Sequence, residues 1–129
     1  MSKIPDDLRY TEDHEYVKTS ADASVVHVGI TDHAQSELGD VVYVELPKAG
    51  ATLARGEAFG TIEAVKAVSD LLTPVAGTVT EINGAIAGDP AVVNRDPYGA
   101  GWMIKLRVKD PAEIKTLLGS AEYKKHVGE

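Results

Sequence analysis

The 129-residue chain has no cysteine, a single phenylalanine and a single tryptophan. Without a thiol there is no disulfide, no zinc ribbon and no cysteine nucleophile, so any sulfur chemistry has to arrive on a borrowed group. Basic residues are also in deficit: 13 Lys and Arg face 20 Asp and Glu, a net charge of −7. That balance argues against binding the phosphate backbone of nucleic acid, where basic side chains supply most of the affinity, and favours protein partners. No apolar run approaches the roughly 20 residues that span a bilayer. The opening Met1-Ser2-Lys3-Ile4-Pro5-Asp6-Asp7 lacks the apolar core of a signal peptide and the Arg-rich, acid-poor character of a transit peptide. The expected setting is the cytoplasm, with neither membrane nor nucleic acid as a partner.

Catalytic signatures are missing too. His14-Glu15 opens the metalloprotease pattern, but position 18 is Lys, so no helical pair of zinc ligands forms. His14, His27, His33 and His126 are scattered along the chain, and no serine sits in a Gly-x-Ser-x-Gly elbow. There is no Gly-Lys-Ser/Thr phosphate loop. An enzyme is not expected, and no metal site is.

What remains is a series of short β-prone segments. Glu15 to Lys18 and Val25 to Gly29 read as a hairpin with its turn at 21–24, after an arm covering residues 1–13. Thr31-Asp32 and Gly39 bracket a capped helix of about two turns. Val41 to Leu46 reads as a core strand that stops at Pro47. Pro47-Lys48-Ala49-Gly50 is echoed by Pro74-Val75-Ala76-Gly77, and Leu53 to Glu57 loosely by Ile86 to Asp89, which suggests a flattened barrel or sandwich about a pseudo-two-fold axis. Residues 84–100, with Gly84, Gly88, Gly99, Pro90 and Pro97, read as a loop-rich excursion. Trp102 to Val108 reads as the strand that closes the sheet, with Trp102, Ile104, Leu106 and Val108 on one face and Lys105 and Arg107 on the other. Asp110-Pro111-Ala112-Glu113 starts a tail, residues 110–127, of two short helices. Ile114, Leu117, Leu118 and Ala121 are expected on one face, with Ser120 capping the second helix.

Two short apolar strands, Ala58 to Ile62 and Val68 to Leu72, flank Lys66, which places it at a hairpin tip. A lysine there is a mobile four-carbon stem on a rigid post, suited to carrying an acyl group at high effective concentration. On spacing alone an ordinary solvated turn lysine is the favoured reading.

The segment Glu63-Ala64-Val65-Lys66-Ala67-Val68-Ser69-Asp70 resembles the lipoyl-lysine signature of the glycine cleavage system H proteins. The likeness extends through 10–18, 29–35, 38–47 and 94–103, in the same order as in that family. The resemblance implies a mostly β barrel-sandwich hybrid, a single lipoyl-carrier domain over 1–129, with lipoate joined covalently to Lys66. It implies a shuttle that takes an aminomethyl group from the pyridoxal-phosphate decarboxylase (P protein) to the aminomethyltransferase (T protein). The reduced arm is then presented to the dihydrolipoyl dehydrogenase (L protein), and lipoate-attaching enzymes are further partners. By family position Glu15, Glu37 and Asp70 would line the arm's cleft, and Glu63 and Val65 would be read by the attaching enzyme. Two departures stand out: Glu37 occupies a place where some relatives carry histidine, and Ala64 replaces the more usual serine. The other readings of the same sequence are an unmodified β scaffold and a donor of lipoyl groups to other lipoyl proteins.

Overall fold

Nine strands in two antiparallel sheets organise the described residues, 3–19 and 24–128, of the computed structural model. The larger sheet sets β1 (Arg9–Tyr10), β2 (Glu15–Thr19), β3 (Val25–Ile30), β9 (Ile104–Val108), β8 (Gly77–Ile82) and β5 (Thr52–Leu53) side by side in that order. The smaller sheet is β4 (Val41–Glu45), β6 (Ala58–Ala64) and β7 (Ala67–Leu72). In the larger sheet β3 and β9 obey the period of two: Val26, Val28 and Ile30 of β3 and Ile104, Leu106 and Val108 of β9 turn inward. They meet Val41, Val44, Phe59, Ile62 and Leu71 of the smaller sheet in one core. At about 1.5–3 kcal/mol for each fully buried aliphatic or aromatic side chain, this interface is the dominant favourable term. The mostly β sandwich architecture expected from the sequence is what forms.

A second core lies on the outer face of the larger sheet. Tyr10 pairs with Tyr16, and Tyr16 with Gly29, so the two tyrosines stand on the same side. Ile4, Leu8 and Tyr123 complete the cluster. Tyr16 lies directly on Gly29, where a Cβ would come within 2.8 Å of its hydroxyl. The arm of the sequence reading is therefore pinned over the sheet, together with α4 (Ser120–Val127), whose Tyr123 stacks on Tyr10 at 4.6 Å.

The helix α1 (Asp32–Leu38) matches its sequence signals. Thr31 Oγ1 accepts from the Ala34 N–H, and Gly39, at φ 81°, closes it with its N–H on the Gln35 carbonyl. The first internal echo is also structural: each copy leads into one strand of an antiparallel pair, 47–50 into β5 and 74–77 into β8, with Thr52 opposite Thr78, so the copies lie at opposite ends of that ladder. The second echo is not, because Gly56 bends a turn at φ 83° while Ile86 sits in the helical turn α2 (Ala85–Gly88).

Other expectations are corrected. The stretch 84–100 is not loop alone: α2 and α3 (Val92–Arg95) form there, driven by burial of Ile86, Val92 and Val93. The final strand does not close the sheet but runs inside it, between β3 and β8, and begins at Ile104. Trp102 precedes that strand and stacks on His27, away from the face of Ile104. The strand β4 is one-sided, with Val42 and Tyr43 half exposed. In the tail, a 3₁₀ segment Pro111–Thr116 is capped by Asp110 as expected, but Gly119 rather than Ser120 occupies the cap of α4. The Glu122 carboxylate accepts from the Gly119 N–H, while Ser120 donates to Asp6. Leu117 joins the main core, Leu118 packs on the second and Ala121 is exposed, so no single tail face exists. The 21–24 turn falls largely outside the described residues. No described helix is long and apolar enough to cross a membrane.

Candidate functional site at the β6–β7 hairpin

Lys66 occupies the two-residue turn between β6 and β7, paired up to Ala64 opposite Ala67. Val65 beside it is 77% exposed and Val68 67% exposed, an unusual placement for valines in a protein with ample core. The tip is held in place from outside the hairpin: the Val65 N–H donates to the Asp40 carbonyl at 3.1 Å. Asp40 follows α1, and that corner is clamped by Asn94. Its Nδ2 donates to Gln35 Oε1 at 3.0 Å and to the Gly39 carbonyl at 2.9 Å, and its Oδ1 accepts from the Val41 N–H at 2.9 Å. The Lys66 stem runs over Gly39, so the lysine leaves a rigid platform. From the sequence Asn94 falls in the loop-rich stretch 84–100 and in the family-like segment 94–103, with no clamping role assigned to it.

At the foot of the hairpin, between α1 and β7, lies a cleft of about 160 Å³. Ile30, Ala34, Leu38, Ile62 and Leu71 give it apolar walls, and Glu15, Glu37 and Asp70 all reach it. The three acids named from the sequence thus share one cleft although 55 positions separate the first from the last, 15 to 70. Asp70 is four residues from Lys66, about 13 Å along an extended strand. Glu37 is exposed and faces His33, 3.8 Å away and one helical turn earlier.

Glu15 differs from the other two. It is only 3% exposed, and burial pushes its carboxyl up to about 8 despite hydrogen bonds that pull the other way. Thr11 Oγ1 donates to Oε1 at 3.1 Å and the Leu72 N–H reaches toward Oε2 at 3.5 Å. Behind it a second cavity of about 280 Å³, bordered by Thr11, Arg55 and Thr73, shares Glu15 as a wall. A buried, protonated carboxyl with access from two sides can donate a hydrogen bond or ionise when a cation arrives.

Three of the four histidines, scattered in sequence, meet in space. His14 lies 4.8 Å from His33 and 5.6 Å from His126, ring centroid to centroid. His14 Nδ1 meets the Tyr123 hydroxyl at 2.8 Å, which also meets Thr31 Oγ1, the cap of α1, at 2.7 Å. Burial first, then His33 and His126, hold the His14 imidazole below its ordinary value. His14 adopts φ 71°, which aims it at α4 and leaves Glu15 to enter the strand. No group of three His, Asp or Glu among the described residues is arranged for a metal.

On the outer face of the smaller sheet, Tyr43 stands opposite Glu63 and Glu63 opposite Val68. An acid between exposed apolar residues therefore flanks the lysine tip.

The family model described as Glycine cleavage H-protein matches residues 8–129. The chain belongs to the glycine cleavage H-protein family. A "Glycine cleavage system H protein" of Chlorobium limicola is 58% identical over 127 residues, 98% of each chain. One of Opitutus terrae is 51% identical, covering 99% of this chain and all of the relative. The crystal structure of a glycine cleavage system H protein from Mycobacterium marinum superposes with a TM-score of 0.89 at 41% identity, covering 98% of this chain and 100% of the other. Membership in the glycine cleavage H-protein family agrees with the resemblance read from residues 63–70 and their flanks, and makes the chain a component of that system.

Proposed function

We propose that this chain is the lipoyl-bearing shuttle of its glycine cleavage system, with lipoate amide-linked to Lys66. The observation that carries the reading is an exposed lysine at a braced hairpin tip with an apolar cleft at its foot. The chain would receive an aminomethyl unit at the P protein, release it at the T protein and be reoxidised at the L protein, all in the cytoplasm. Lipoate supplies the two sulfurs that a chain without cysteine cannot. The residues present suit such a group: aliphatic walls from Ile30, Leu38, Ile62 and Leu71 match its carbon chain, and Lys66 is free to be acylated.

The chain's own residues bind, shield and neutralise. Glu15 and Asp70 offer carboxyl groups to a cationic amine in the cleft, and the burial that keeps Glu15 protonated also restricts water there. A cation held beside Glu15 would lower the carboxyl's hold on its proton, which would pass to water at the cleft mouth and return when the cation leaves. Glu37 borders the mouth. Glu63 and Val65, both exposed beside the tip, are the positions a lipoate-attaching enzyme would read.

Intact-mass measurement after expression with lipoate tests the reading. A lipoyl increment that maps to Lys66, is absent in Lys66→Arg, and is required for glycine cleavage with added P, T and L proteins is expected. An unmodified chain that supports the same rate would establish the scaffold reading instead.

A further inference from the structure

The outer face of the larger sheet is covered by the tyrosine cluster at its β1–β2 end and open at the other. Register aligns the open part: Lys18 lies opposite His27, His27 opposite Lys105, and Lys105 opposite Glu81. In the next row Val25, Arg107, Thr78 and Thr52 follow one another. Lys105 and Arg107 project from one side of β9, and Lys109 continues just past its end. Lys18 and Lys105 stand on the two strands that flank β3, one on either side of His27. The His27 imidazole is held below its ordinary value by burial first and then by these two lysines, against a smaller opposing effect of Glu81.

Among the described residues, only part of this charge meets a carboxylate. Lys105 reaches Glu81 at 3.3 Å. Where β5 and β8 meet the tail, a groove of about 400 Å³ is bordered by Arg55, Arg107 and Lys109 over the apolar Leu53 and Val108. The acid there, Glu113, already accepts from the Ala76 N–H at 2.9 Å, and Asp110 nearby accepts from the Ala112 N–H at 3.0 Å. In the middle of the face Trp102 stacks on His27 at 5.4 Å, with Lys105 Nζ 5.1 Å from its ring. Tryptophan and arginine are enriched at protein interfaces, and here Trp102, Arg107 and Arg55 lie with an apolar groove, the lysines adding charge around them.

We propose that this basic face, Lys18–His27–Lys105 with Arg107, Lys109 and Arg55, docks an acidic polypeptide segment of a partner protein. Charge complementarity selects that occupant. A second copy or a long nucleic acid is broad and anionic and meets the net charge of −7 of the whole chain. A short extended acidic segment lies within a Debye length, roughly 8 Å, of these cations and is screened from the rest. Because Lys66 belongs to the other sheet, across the core, a partner held here leaves the hairpin free to act elsewhere. The inference stands whether or not Lys66 is lipoylated.

Trp102, the single tryptophan, reports binding directly. Titrating the full chain with an N-acetylated hexaglutamate peptide should give a saturable change in its emission that weakens with salt. Lys105→Gln/Arg107→Gln should weaken binding about fivefold, two surface charge pairs' worth. Lys18→Gln, at the far end of the row, should weaken it less, and Lys66→Arg should leave it unchanged. An equal response to hexalysine, full competition by inorganic phosphate at the same concentration, or indifference to both charge variants would overturn the proposal. So would sedimentation showing dimers that the double variant abolishes, which would make the face an interface between copies.

Discussion

The stem of Lys66 crosses Gly39 so closely that a Cβ at position 39 would lie 3.3 Å from Lys66 Cε. The C-terminal cap of α1 is thus also the surface over which the hairpin lysine is laid. One residue serves helix termination, at φ 81°, and lysine placement at once.

Gly39→Ala tests that double role. At φ 81° and ψ −158° the backbone lies in a region essentially reserved for glycine, so a side chain costs about 1–3 kcal/mol, and the stem must also shift. We expect a lower Tm by a few degrees together with a changed rate of lipoate attachment at Lys66. A stability loss with an unaltered attachment rate would show that the contact does not orient the lysine.

Asn94→Ala removes three hydrogen bonds that hold the α1–β4 corner. At about 1 kcal/mol each, with the Val41 N–H left unpaired, we expect a loss of ~3 kcal/mol in denaturant unfolding. Hydrogen exchange should quicken first at Val41 and at Val65, whose N–H depends on Asp40. Uniform quickening across both sheets would contradict a local clamp.

Glu15 makes stability depend on pH. Its carboxyl is raised from 4.5 to about 8, so between those values the folded chain binds more protons than the unfolded one. Stability is therefore full below pH 4.5 as far as this group is concerned, and falls as pH rises toward 8, by about 1.4 kcal/mol per unit at most. Glu15→Gln should flatten that fall in unfolding measured from pH 5 to 8.5. Parallel curves for the two proteins would remove Glu15 from the account.

His14 works in the opposite direction. With its imidazole held low by burial, His33 and His126, the unfolded chain binds more protons just below the ordinary histidine value of 6.5. Stability is then lost as pH falls from 6.5, and α4, tied through Tyr123, should exchange faster there. His14→Asn accepts φ 71° with little strain, and should reduce this acid sensitivity. Tyr123→Phe, which severs the links to both His14 and Thr31, should cost about 1–3 kcal/mol at neutral pH.

Much of this protein is legible along the chain because the deciding interactions are local. Alternating Val and Ile in 25–30 and 104–108 define which faces are buried, Thr31 and Gly39 define a helix, and Ala64 to Ala67 define a turn with Lys66 on it. The segments flanking that turn also carried the family resemblance. Short helices at 85–95 escaped notice because Gly88 and Pro90 break the stretch into pieces too short to show a period, and only burial of Ile86, Val92 and Val93 makes them form.

What the tertiary structure alone decided is proximity. Antiparallel pairing and the crossing of the C-terminal helix bring His14, His33 and His126 together from three elements, and set Glu15 in a wall where removal from water keeps it neutral. Register turns Lys18, His27, Lys105 and Arg107 into one face. Charge, burial and hydrogen bonding act through space, so residues far apart in sequence acquire a shared chemistry only once the sheets are assembled. The lysine could be named from its neighbours in the chain; the platform beneath it and the cleft at its foot could not.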